Sequence, residues 1–226
     1  MIKNEDIVAL IDKENIEELR KLIENDNRLV NKRINKEGMT PLYWACKNNN
    51  LEIVKLLIKN GADVNIAPYY GNTSIFVACK NNNLEIVEEL LKNGAHADKA
   101  DERGAVPLNI AVFNNNLELV KLLIKNGADV NKIGYKGKTP LYWAFKNNKL
   151  EIIELLLKNG VCVKNIINNS NSFTKEIIDL LNGSKGQTSK LIQGVNNLRF
   201  KNKYEMVIFY RELIKESKLE IKYLEY

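Results

Sequence analysis

A 33-residue period without insertions constrains this chain more than any other feature. Gly38, Gly71, Gly104 and Gly137 follow one another at that step, and so do Gly61, Gly94, Gly127 and Gly160. Leu51, Leu84, Leu117 and Leu150 keep it too. A unit of this length cannot bury its apolar face alone, so successive copies must stack on one another.

Each landmark has a local reason. Thr40-Pro41 predicts a helix start, since the hydroxyl can cap free N–H groups and proline suits the first helical position. Thr73 and Thr139 are expected to repeat the cap; Val106 stands at that position in the third copy and should forfeit about 1 kcal/mol. Ala45, Ala78, Ala111 and Ala144 are small enough for close packing of this first helix. The run Asn48-Asn49-Asn50 and its equivalents predicts a turn with a left-handed residue. Leu51, Val54, Leu57 and Ile58 then mark the apolar stripe of a second helix, ended by Gly61 in a left-handed cap. The stretch to the next glycine is expected to form a β-turn finger.

The segments GxTPLxxA, LExVxLLxxG and GADVN, in this order over residues 35 to 165, resemble the ankyrin repeat. The resemblance implies an all-α solenoid of four full repeats, 35–67, 68–100, 101–133 and 134–166, between degenerate caps. One departure concerns the histidine that usually follows Thr-Pro-Leu in that family and links neighbouring fingers. Here the position holds Tyr43, Phe76, Asn109 and Tyr142, and Phe76 cannot make such a bond.

The ends must differ from the middle to stay soluble. Residues 1–34 are expected to form an N-terminal cap: Ile16 to Ile23 imitates a second helix, Asp6 to Asp12 its partner, and Leu29-Val30-Asn31 the end of GADVN. In residues 167–226, Glu176 to Gly183 imitates another second helix, but 25 residues after Glu151 and not 33. This part is expected to continue the stack as degenerate repeats or a helical cap; a separate helical domain behind Gly183-Ser184-Lys185-Gly186 is the alternative.

Composition excludes several kinds of chemistry. The longest apolar run is too short to cross a bilayer, and acids occupy the N-terminus where a secretory signal would be apolar. A cytoplasmic protein is expected. Cys46, Cys79 and Cys162 are odd in number and widely spaced, which argues against a disulfide framework. Cys46 and Cys79 should be buried free thiols, and Trp44 and Trp143 core residues. One histidine, His96, and no tight ligand spacing leave no metal site and no cofactor. Residues 183–190 lack the order of a phosphate loop. No catalytic constellation is expected.

In ankyrin proteins, partners usually contact finger tips and the exposed side of the first helices. Carried over by position, the candidate binding residues are Lys36, Met39, Lys47, Tyr69, Tyr70, Asn72, Lys80, Arg103, Phe113, Tyr135, Lys136, Lys138 and Lys146. Tyr69, Tyr70, Phe113 and Tyr135 are large aromatics expected to face solvent, as interface anchors do. The face also looks more basic than the whole chain, whose net charge is +6. A monomeric module that binds a protein with an acidic or extended segment is therefore expected, with no small-molecule substrate. The alternatives are nucleic acid stacked on the same face and an adaptor role for Tyr204, Phe209, Tyr210, Leu213 and Ile214.

Overall fold

The computed structural model describes residues 4–147 and 149–161. The expectations for Cys162, the glycine-rich linker and the C-terminal helices lie outside the described residues. The described residues contain ten α-helices, two short 3₁₀ turns and no strand. The helices are α1 (Asn4–Asp12), α2 (Ile16–Asn25), α3 (Pro41–Lys47), α4 (Leu51–Lys59), α5 (Ser74–Lys80), α6 (Leu84–Lys92), α7 (Pro107–Phe113), α8 (Leu117–Lys125), α9 (Pro140–Lys146) and α10 (Leu150–Lys158). The chain divides into two compact units, one ending at Gly137 and one beginning at Lys138.

In the first unit, α1, α3, α5 and α7 pack successively as one layer, and α2, α4, α6 and α8 as a second. The seam between layers is apolar: Leu42, Ile53, Leu57, Ile75, Ile86, Leu90, Leu108 and Leu119 are all essentially without solvent exposure. Ala45, Ala78 and Ala111 are fully buried, as close approach of the shorter helices requires. In the second unit α9 packs on α10, with Leu141, Ala144, Ile152 and Leu156 buried.

Asparagine organises the connections. Asn49, Asn82 and Asn115 hold φ of 62°, 60° and 57°, left-handed turns between paired helices. The next asparagine caps the following helix: Asn50, Asn83 and Asn116 accept from the N–H of Ile53, Ile86 and Leu119. At the far end Gly61 takes φ of 86°. Its N–H donates to Ile58 O and that of Ala62 to Leu57 O, which satisfies carbonyls the helix would otherwise leave open.

Caps at the first helices are uneven. Thr40 and Thr139 accept from the N–H of Tyr43 and Tyr142. Val106 caps nothing, as its side chain dictates. Thr73 departs from expectation: it makes no cap bond, and its Oγ1 is buried without a partner. Thr73 precedes Ser74, not proline, so the ring that fixes the entry geometry of the first helical residue is absent there.

Polar side chains also tie each copy to the next. Asn31 Nδ2 donates to Gly61 O at 3.0 Å, and its Oδ1 accepts from Asp63 N at 2.7 Å. Asn65 repeats both bonds to Gly94 O and His96 N. Asp98 keeps only the accepting half, from Asp129 N, because a carboxylate has no hydrogen to offer Gly127 O. A second set runs through the inner turns, where Asn81 donates to Lys47 O and Asn114 to Cys79 O. Asn116 donates to Asn82 Oδ1 at 2.8 Å.

Two outcomes follow. Asn65→Ala should lower stability by about 1–2 kcal/mol and Asp98→Asn should raise it by about 0.5–1 kcal/mol, read from urea unfolding midpoints. Cys46 and Cys79 are fully buried, and burial pushes both thiols up, well above the ordinary thiol range. Their contribution is whole below the unfolded thiol pKa of about 8.5 and is lost as pH rises beyond it, by about 1.4 kcal/mol per thiol per pH unit. Cys46→Ala/Cys79→Ala should therefore show a shallower loss of stability between about pH 9 and 10 than the parent.

Candidate partner-binding face

The face formed by the fingers and the α3, α5 and α7 layer is built by four short loops. In the first finger, Asn35 Oδ1 accepts from the N–H of Glu37 and Met39, and Ile34 N donates to Met39 O. Asp101 does the same in the third, accepting from Arg103 N and Ala105 N. The second finger has Pro68 at this position and lacks the brace. Its neighbours hold it. Arg33 donates to Gly38 O and to Ala67 O. The Arg33 guanidinium also lies over the Tyr69 ring at 5.0 Å. Backbone bonds run from Tyr69 N to Glu37 O and from Glu102 N to Tyr70 O. At Gly71, φ is 74°, and an added Cβ would lie 3.0 Å from Glu102 N, so no side chain fits.

Between these fingers lies a groove of about 720 Å³. Tyr70, Phe113 and Tyr135 line it, with Phe76, Ile110 and Ala105. The three outer rings are 52%, 57% and 39% exposed. Lys80 and Arg103 supply positive charge, and Asp101 and Glu102 oppose it. Asn72 is also on the wall; its Oδ1 is buried without a partner. Asn72 hydrogen-bonds the Tyr43 hydroxyl, which burial pushes above the usual tyrosine range.

Six of the sequence candidates thus meet at one groove: Tyr70, Asn72, Lys80, Arg103, Phe113 and Tyr135. Lys136 is exposed, its ammonium 5.2 Å from the Tyr135 ring. Lys36 is exposed on the first finger. Lys47 lies over Trp44 at 4.5 Å. In the second unit, Lys138 and Lys146 both sit over the Tyr142 ring, at 4.0 and 5.9 Å.

Met39 and Trp44 depart from expectation. Met39 does not face solvent: it is 8% exposed, drawn inward by the bonds that close its finger. Tyr69 is 61% exposed, as expected, and its ring also covers Gly38 and Arg33. Trp44 is only half-buried, and its indole N–H donates to Asp12 Oδ1 at 2.7 Å, tying α3 to α1. Asn48 donates to the same carboxylate.

Sequence reasoning missed Asp12, Asp101 and Ile110. Asp101 was detectable from its register with Asn35; Ile110 shares the register of Trp44. Asp12 and Asp101 offset part of the positive charge expected on the face.

The family model for ankyrin repeats (3 copies) matches residues 7–101 and 75–168, and the chain belongs to the ankyrin repeat family. It is 47% identical over 49 residues to an acyl-CoA-binding domain-containing protein 6 homolog of Dictyostelium discoideum. That match covers 22% of this chain and 17% of the relative. It is 43% identical over 68 residues to a putative ankyrin repeat protein of Rickettsia bellii (strain RML369-C), 28% of this chain and 40% of that one. The matched segments therefore span less than half of these relatives. No helix among the described residues is long and apolar enough to cross a membrane.

Tyr69→Ala should cost about 1 kcal/mol of stability through lost packing on Arg33 and Gly38. Tyr70→Ala and Phe113→Ala should each stay within about 0.5 kcal/mol of the parent. Thermal or urea unfolding of the three variants checks this separation.

Proposed function

We propose that this chain is a binding module that seats a partner protein on the finger side of the first unit, with Tyr70, Phe113 and Tyr135 as anchors. Ankyrin repeats generally mediate protein–protein interaction, and the family is typically non-enzymatic. The observation that carries the reading is three large aromatics left half-exposed around one groove. Exposed aromatic clusters rimmed by polar groups mark contact surfaces, and aromatics dominate binding energy there.

The groove's cations, with Lys36, Lys47 and Lys136 nearby, favour a partner that brings carboxylates. Nucleic acid is the weaker reading, since Asp101 and Glu102 share the wall with Lys80 and Arg103. We read the chain as a binder in keeping with its family. Among the described residues no three His, Cys, Asp or Glu side chains gather as a metal site, and Cys46 and Cys79 are held protonated in the core. Two buried free thiols suit a reducing compartment, and we place the protein in the cytoplasm. The Dictyostelium relative's name refers to acyl-CoA binding; the match covers too little of it to bring that ligand here.

Photo-crosslinking tests the face. A benzophenone side chain placed at Phe113 should trap a specific protein in extracts, and one placed at exposed Lys55 on α4 should not. Trapping from Lys55 alone would move the interface to the second-helix layer and reject this assignment.

A further inference from the structure

The groove opens where the finger ladder breaks. Tyr69 N donates to Glu37 O at 2.9 Å, and Glu102 N to Tyr70 O at 3.2 Å. Each link joins residues 32 apart, and the same step from Arg103 arrives at Tyr135. Among the described residues no backbone hydrogen bond joins that pair. The spacing agrees. A Cβ on Gly71 would meet the third finger at 3.0 Å, whereas one on Gly104 would meet the fourth only at 3.9 Å.

The sequence of the fourth finger accounts for the break. Gly134 stands where Asn35 and Asp101 brace their own loops. Lys136 then takes a left-handed φ of 56°, which no other finger asks of a non-glycine residue among the described ones. Among the described residues the Arg103 carbonyl and the Tyr135 N–H have no backbone partner, and both residues line the groove. This is the situation of an exposed sheet edge, which an extended polypeptide can complete because it carries both groups in alternation.

The surrounding chemistry fixes the rest of the occupant. Tyr70, Phe113 and Tyr135 offer a slot for one apolar side chain. Lys80 and Arg103 offer cations to a carboxylate of the occupant, on a wall they share with Glu102 and with Asp101, whose Oδ1 accepts from its own finger. Neither cation is in an ion pair among the described residues.

We infer that the groove takes an extended peptide segment of the partner protein. Its backbone pairs with the Arg103 carbonyl and the Tyr135 N–H, an apolar side chain lies between Tyr70, Phe113 and Tyr135, and a neighbouring carboxylate meets Lys80 and Arg103. The inference rests on the proposed function and adds the conformation and charge of what is bound.

The test pans a random 12-residue displayed-peptide library on the full chain and measures affinities of the enriched sequences by fluorescence anisotropy. Enrichment of an apolar residue beside Asp or Glu is expected. Affinity should fall at least tenfold with Phe113→Ala, with Arg103→Glu, and with N-methylation of one particular peptide bond. Circular dichroism melts must show both variants folded. Loss with Phe113→Ala but indifference to N-methylation at every position would reject the extended pairing and leave the binding face standing. Equal binding by Phe113→Ala would reject both, and so would basic or absent consensus reject the inference.

Discussion

A side-chain amide that both donates and accepts across a repeat boundary is the constraint from which the rest of this structure follows. Asn31 and Asn65 each hold the end of the next long helix at a carbonyl and an N–H. Those groups are available only because Gly61 and Gly94 turn left-handed and present them at fixed positions. The two features need each other. The helices are seven to ten residues long, too short to persist alone in water. Apolar burial between layers supplies most of the drive, but it is non-directional. The asparagine bonds set the register in which that burial occurs, and the register sets where the fingers stand.

Much of this was legible in the sequence because the period is strict. Glycine spacing located the helix ends, and the Asn runs located the turns; Asn49, Asn82 and Asn115 hold the left-handed conformation that their chemistry predicts. Thr40 and Val106 behaved as cap and missing cap. What was illegible depends on contacts between copies. Asn81 and Asn114 open runs that the sequence marks only as turns, yet they donate to carbonyls of the preceding copy. Met39 shares the register of a binding surface, yet finger closure buries it, and exposed Tyr69 also holds Arg33 against its ring. Thr73 looked equivalent to Thr40, but the change of its neighbour from proline to serine removed the cap.

The groove arises from departures within the period. Pro68, Gly134 and Lys136 each replace what the repeat would supply, and they cluster in the fingers on either side of Arg103. A sequence that satisfies its local rules almost everywhere and breaks them in one place tends to mark function there. The orphan oxygens of Asn72, Thr73 and Ser74 lie in the same finger region, where regularity is weakest.

Native-state amide hydrogen exchange, resolved by NMR, tests the central claim most directly: that backbone hydrogen bonds link the fingers as far as the third and, among the described residues, do not link the third to the fourth. The N–H groups of Asp63, His96, Tyr69 and Glu102 should be protected, close to the level set by global unfolding, and that of Tyr135 should exchange near the rate of an exposed amide. Protection of Tyr135 equal to that of Tyr69 and Glu102 would contradict the account, because the ladder would then run unbroken and the groove would have no open edge.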